Sequence, residues 1–135
     1  MKEITLKAVV QNIQVLTDFI NAELEAVGCP IKAQMQIDVA LDEVFSNIAH
    51  YAYSGDPGEV TIGFSFESQT RIATICFRDR GIPYNSLDKR DPDVTLPAVD
   101  RAVGGLGIFL VKKMMDHIAY EYCDGMNVLC ISKKV

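Results

Sequence analysis

Residues Ala40–Phe66, ALDEVFSNIAHYAYSGDPGEVTIGFSF, contain the change of period on which the fold turns. Before the turn, Ile37, Leu41, Val44 and Ile48 recur at helical spacing, which predicts a helix from about Ile31 to Ala52. Ser54–Gly58, SGDPG, is dense turn punctuation. Beyond it Val60, Ile62, Phe64 and Phe66 alternate with Thr61, Gly63 and Ser65, the signature of a half-buried strand. An amphipathic helix therefore hands over directly to an amphipathic strand, and both need the same apolar layer.

The flanking sequence extends both elements. Upstream, Ile4, Leu6 and Ala8 alternate with Glu3, Thr5 and Lys7, so Lys2–Val9 reads as a strand. From about Gln11 the stripe Ile13, Leu16, Ile20, Leu24 and Val27 marks a helix, ended by Gly28 and Pro30. Downstream, Arg71–Arg78 reads as a strand apolar on both faces, and Ile118–Cys123 and Asn127–Ser132 as two strands flanking an Asp124-Gly125 turn. Between Ile82 and Val103 neither period holds, and three of the five prolines fall there (Pro83, Pro92, Pro97). A loop this long inside one domain often covers a binding site. It ends in Gly104-Gly105-Leu106-Gly107, immediately before an apolar helix expected from Ile108 to about Asp116. The resulting order predicts an α+β two-layer sandwich: one mixed or antiparallel sheet covered on one face by helices, in a single domain over 1–135.

Composition excludes several classes. At 135 residues, 49% apolar and 23% charged, the chain is ordinary for a globular domain able to bury its own core. No apolar run approaches the length that spans a bilayer, and the start has no apolar stretch of the kind that forms a secretory signal. Thirteen basic and eighteen acidic residues leave a net charge of −5, which argues against nonspecific binding to nucleic acid. Cys29, Cys76, Cys123 and Cys130 form no CxxC pair and no ligand cluster with His50 or His117. They read as small apolar residues of a reduced cytosolic protein. Both histidines are isolated and read as structural.

Three groups of residues carry potential chemistry. Glu43 and Asn47, four residues apart on the second helix, share a face at the edge of its apolar stripe. They either line a cavity between helix and sheet or sit at an ordinary solvent boundary. Asp79-Arg80-Gly81 follows a buried strand; an Asp there can accept a hydrogen bond from a base amine, and Gly81 can let a flat ring approach, although both residues are also common in plain turns. Gly104, Gly105, Leu106 and Gly107 precede a helix whose free N–H groups and dipole suit an anion; a tight helix entry is the alternative.

Taken in order, Glu43 and Asn47 on a helix, Asp79-x-Gly81 after a strand, a long loop, then Gly105-x-Gly107, resemble the N, G1 and G2 boxes of the GHKL (Bergerat-fold) ATPases. The resemblance covers nearly the whole chain. The small size, short lid (about 82–103) and HYAY segment after Asn47 look most like the anti-sigma factor serine kinases of that superfamily. Val103 stands where many relatives have the first glycine of GxGxG, with Gly104 in the following position.

The resemblance implies ATP and Mg²⁺ as cofactors. It implies Asn47 as the metal ligand, Asp79 and Gly81 at the adenine, and Gly104, Gly105, Leu106 and Gly107 at the phosphates. It also implies Glu43 as the general base. Arg101, with Lys89 and Arg90, is a lid cation able to close over the γ-phosphate. Expected partners are a sigma factor and an anti-sigma factor antagonist phosphorylated on serine, in the cytoplasm, with a possible homodimer and no membrane or direct nucleic-acid contact. Two rival readings are a non-catalytic ATP-binding module that switches partners by nucleotide state, and the ATPase module of a sensor histidine kinase.

Overall fold

The protein is described by a computed structural model, and the structure describes residues 1–88 and 105–135. Strand β1 (Lys2–Lys7) leads through a short 3₁₀ turn into helices α1 (Ile13–Ala26) and α2 (Ile31–Tyr51). Strands β2 (Glu59–Glu67) and β3 (Ile72–Asp79) follow, then α3 (Gly105–Met114), β4 (His117–Cys123) and β5 (Met126–Lys134). The sheet runs β1-β2-β3-β5-β4, and every neighbouring pair is antiparallel. The expected α+β sandwich is therefore observed, with the sheet wholly antiparallel rather than mixed.

Alternation decides which face the helices cover. Val60, Ile62 and Phe64 on β2, Ala73, Ile75 and Phe77 on β3, and Leu129 and Ile131 on β5 all point inward and are buried. They meet Leu16, Ile20 and Leu24 of α1, Ile37, Leu41, Val44 and Phe45 of α2, and Ile108 and Val111 of α3. Helix α2 contacts both α1 and α3, so it is the central helix of the layer. Each fully buried Leu, Ile or Phe contributes about 1.5–3 kcal/mol relative to exposure, so this shared layer holds the helices on the sheet.

Three expectations need correction. Strand β3 is not apolar on both faces: Thr74, Cys76 and Arg78 alternate onto the opposite, half-buried side. The last helix begins at Gly105 rather than Ile108, so Gly105, Leu106 and Gly107 form its first turn instead of preceding it. Cys76 and Cys130 are not thiols. They are direct partners in the β3–β5 register and are joined by a disulfide, leaving Cys29 and Cys123 free. Their separation of 54 residues hides the pairing from any reading of local spacing. The β4–β5 turn is as expected: Asp124 and Gly125 take φ of 54° and 75°, the left-handed pair that a two-residue hairpin requires.

Candidate functional site

Asp79 is the last residue of β3 and is buried at 5% exposure, the end of an alternating strand whose inward side carries Ala73, Ile75 and Phe77. Directly opposite in the ladder stands Asn127, the second residue of β5, also buried. Its Nδ2 donates to Asp79 Oδ1 at 3.0 Å and to Ile82 O at 2.9 Å, with a longer approach of 3.4 Å to Gly81 O. The Gly81 N–H donates to the same Asp79 Oδ1 at 2.9 Å. Both of these bonds fall on Oδ1, and Oδ2 takes part in neither. On its other side, Asn127 Oδ1 accepts from the Tyr84 N–H at 3.1 Å and from the Tyr120 hydroxyl.

Asp79 and Asn127 form one wall of a pocket between α2 and the sheet. Asn47 lies on the helix side with Val44 and Ile48, Tyr120 and Leu129 line the sheet side, and Tyr84 and Ser86 close one end. The cavity volume is about 40 Å³. The lining surface is mostly apolar with a few convergent polar groups. Asn47 of α2 and Asp79 of β3 thus line the same pocket.

Gly81 also meets the end of α2 closely. A Cβ there would lie 2.2 Å from Ala52 O, and the Ile82 N–H donates to that same carbonyl at 2.8 Å. The end of α2 therefore stands where a side chain at position 81 would be. Close approach of the two backbones carries the chain from β3 back over the pocket.

Glu43 is not among the pocket walls. It lies one helical turn before Asn47, half-buried, and its carboxylate rests against the first turn of α3. A Cβ on Gly107 would stand 2.2 Å from Glu43 Oε2. A carboxylate beside a helix N-terminus is favoured by the dipole and the free N–H groups of that turn. Glu43 and Gly107 thus form a second cluster at the α2–α3 contact, with Glu43 on the same helix as Asn47. Lys89, Arg90, Arg101 and Gly104, and the lid beyond Asp88, lie outside the described residues.

Asn127 and Tyr120 are the residues sequence reasoning missed. The only available signal was position: Asn127 follows an Asp-Gly hairpin turn and faces inward where apolar residues otherwise stand. Tyr53, the last residue of the HYAY segment, supports the same corner from behind. Its hydroxyl donates to Glu59 O at 2.6 Å and accepts from the Arg80 N–H at 3.0 Å. Burial pushes that hydroxyl above its ordinary value of 10.0, with the Asp79 and Glu59 carboxylates adding to the shift, so it stays a donor at neutral pH. His50 Nδ1 bonds Ser46 O within α2 at 2.8 Å, a local helix contact.

Comparison with known proteins places this geometry. A family model described as histidine kinase-like ATPase domain matches residues 6–133. Two relatives, each named serine-protein kinase RsbW, are 31% (Bacillus mycoides) and 35% (Bacillus cereus) identical over 96 residues. Those alignments take in 67% of this chain but 58% of each relative, so the chain spans little more than half their length. A solved structure of the RsbU and RsbW domains of Rv1364c from Mycobacterium tuberculosis superposes with a TM-score of 0.65. It is 11% identical and is matched over 99% of this chain and 32% of that one, a likeness of fold.

Proposed function

The chain belongs to the histidine kinase-like ATPase domain family, and from that premise we propose that it binds Mg·ATP, restrains a sigma factor and phosphorylates a serine of an anti-sigma factor antagonist. The observation that carries the reading is the pair of clusters on α2. Asn47 faces the buried Asp79 across a pocket, and Glu43, one turn earlier, meets the first turn of α3. The relatives named serine-protein kinase support the kinase activity. A cytoplasmic homodimer that does not touch nucleic acid fits the same reading.

In this reading Asp79 Oδ2 accepts the adenine amine while Oδ1 stays engaged with Gly81 and Asn127. The N–H groups of Gly104, Gly105, Leu106 and Gly107 hold phosphate oxygens, and Arg101 closes on the γ-phosphate. Asn47 offers a hard oxygen donor at the pocket wall, which fits an ion that takes few protein ligands beside substrate phosphates. Bound there, Mg²⁺ would neutralise phosphate charge. The serine oxygen forms a bond to the γ-phosphorus as the bond to ADP breaks, and Glu43 takes up the hydroxyl proton.

The test is incubation with γ-labelled ATP and a candidate antagonist, followed by mapping of the label to its serine. Asp79→Ala should weaken ATP binding by about ten- to hundredfold, the value of a hydrogen bond to a charged group. A folded Asp79→Ala variant with unchanged ATP affinity overturns the adenine assignment. A wild type that binds Mg·ATP but never labels any antagonist leaves the non-catalytic nucleotide-binding module as the reading.

A further inference from the structure

We propose that Asn127 is the positioning residue of the nucleotide site: its carboxamide orients the Asp79 carboxylate for the base and ties the Ile82–Tyr84 segment to the same point. The inference rests on the nucleotide-binding reading and assigns a role to a residue outside its motifs. One buried side chain makes all the connections. Through Nδ2 it reaches Asp79 Oδ1 and Ile82 O, and through Oδ1 it receives the Tyr84 N–H and the Tyr120 hydroxyl. An amide is the group that serves here, because two donors and two acceptors are used at once. With Oδ1 of Asp79 held by Asn127 and by the Gly81 N–H, the carboxylate cannot rotate without breaking both bonds. Its remaining oxygen keeps one direction for a ligand. Tyr84, which lines the pocket end, is fixed by that carboxamide as well. Binding at Asp79 and the placement of the Ile82–Tyr84 segment therefore share one anchor.

The isosteric Asn127→Asp variant separates positioning from packing. It keeps the shape but sets an oxygen where Nδ2 now faces Asp79 Oδ1 and Ile82 O. The titratable groups bonded to the carboxamide are Asp79 on β3 and the Tyr120 hydroxyl on β4. Two carboxylates at that separation share a proton, and the shared proton restores a donor to Asp79 Oδ1. Mg·ATP affinity of Asn127→Asp should therefore be at least about tenfold below wild type at pH 8 and recover as the pH falls towards 5.5. Wild type and Asn127→Ala should show no such recovery, and amide exchange at Gly81 and Tyr84 should quicken in both variants. Equal affinity of wild type and Asn127→Asp across this range overturns the proposal while leaving nucleotide binding intact. Absence of adenine-nucleotide binding by wild type overturns the underlying reading, and this inference with it. If Asn127→Asp does not fold at neutral pH, Asn127→Ala decides: ATP affinity within about twofold of wild type overturns the proposal.

Discussion

The Glu43 carboxylate fills the space that a side chain at position 107 would occupy: a Cβ on Gly107 would lie 2.2 Å from Oε2 and 3.0 Å from Cδ. The contact is with the far end of a flexible side chain, so Glu43 can swing aside at little cost in stability. Gly107→Ala should therefore leave the melting temperature unchanged or slightly raised, since alanine is the better helix former. If Glu43 is the general base, phosphoryl transfer should nevertheless fall, because misplacement on the order of 1 Å can cost about 10²-fold. Gly107→Val should also weaken ATP and ADP binding more than adenosine binding. Equal losses for all three ligands would point to a general folding defect instead.

Gly81 presents the opposite case. Its absent Cβ faces the Ala52 carbonyl at 2.2 Å and the Ala52 Cβ at 2.6 Å, so backbone has to yield. Gly81→Ala should cost about 1–3 kcal/mol, as overpacking does elsewhere, and should loosen the Ile82 N–H bond to Ala52 O. Urea denaturation reads the first effect and amide exchange at Ile82 the second. A stability equal to wild type would mean that the α2 end moves freely away from β3.

Much of the fold was legible because period reports the buried face directly. The stripes of α1 and α2 and the alternation of β1 and β2 name residues that are buried, such as Leu16, Ile37 and Ile62. What was not legible depends on register across the sheet. Cys76 meets Cys130, and Asp79 meets Asn127, only because β5 inserts between β3 and β4. No local spacing encodes that insertion. Glycine carried an ambiguous signal for a related reason: Gly81 and Gly107 are both needed for close approach, yet the neighbour is Ala52 in one case and Glu43 in the other.

The Cys76–Cys130 disulfide ties the two strands that end in Asp79 and Asn127. Closing a loop of 54 residues restricts the unfolded chain, so reduction should lower unfolding stability by about 2–4 kcal/mol. Denaturant midpoints with and without a phosphine reductant measure it, with Cys76→Ser as the control that should no longer respond. Identical midpoints in both conditions would show that the sheet holds these strands without the bond.

Asp38 and Asn21 face each other between α2 and α1, and the Oδ1 atoms of both are buried without a hydrogen-bond partner. Burial pushes the Asp38 carboxyl above its ordinary 3.8, while Asn21 pulls the other way. A folded-state value above the unfolded one means that ionisation favours unfolding. The penalty is absent below the unfolded value, grows as pH rises through the carboxylate range, and is complete above the folded value. Asp38→Asn should therefore stabilise the protein at neutral pH, its new amide donating to Asn21 Oδ1, and the advantage should vanish below about pH 3.5. Thermal melts of both proteins across that range check the sign. A variant less stable than wild type at pH 7 would show that the charged form is the one the helices favour.

Glu43 and Asn47 stand one turn apart on α2, yet the structure gives them different neighbours: the first turn of α3 for Glu43, the Asp79 pocket for Asn47. Their substitutions should therefore separate. Glu43→Gln keeps the shape against Gly107 but cannot take up a proton. If Glu43 is the general base, Mg·ATP affinity should hardly change while transfer to the antagonist serine falls by about 10²–10⁴. Asn47→Ala should lose Mg²⁺-dependent binding and transfer together. Calorimetry gives the affinities and single-turnover labelling gives the rate, so a slow chemical step is not confused with weak binding. Sigma-factor binding should survive Glu43→Gln, but the variant should no longer release itself from the antagonist by phosphorylating it. Normal transfer by Glu43→Gln would remove Glu43 from the proton path and leave its carboxylate as a cap on α3, with another group accepting the serine proton.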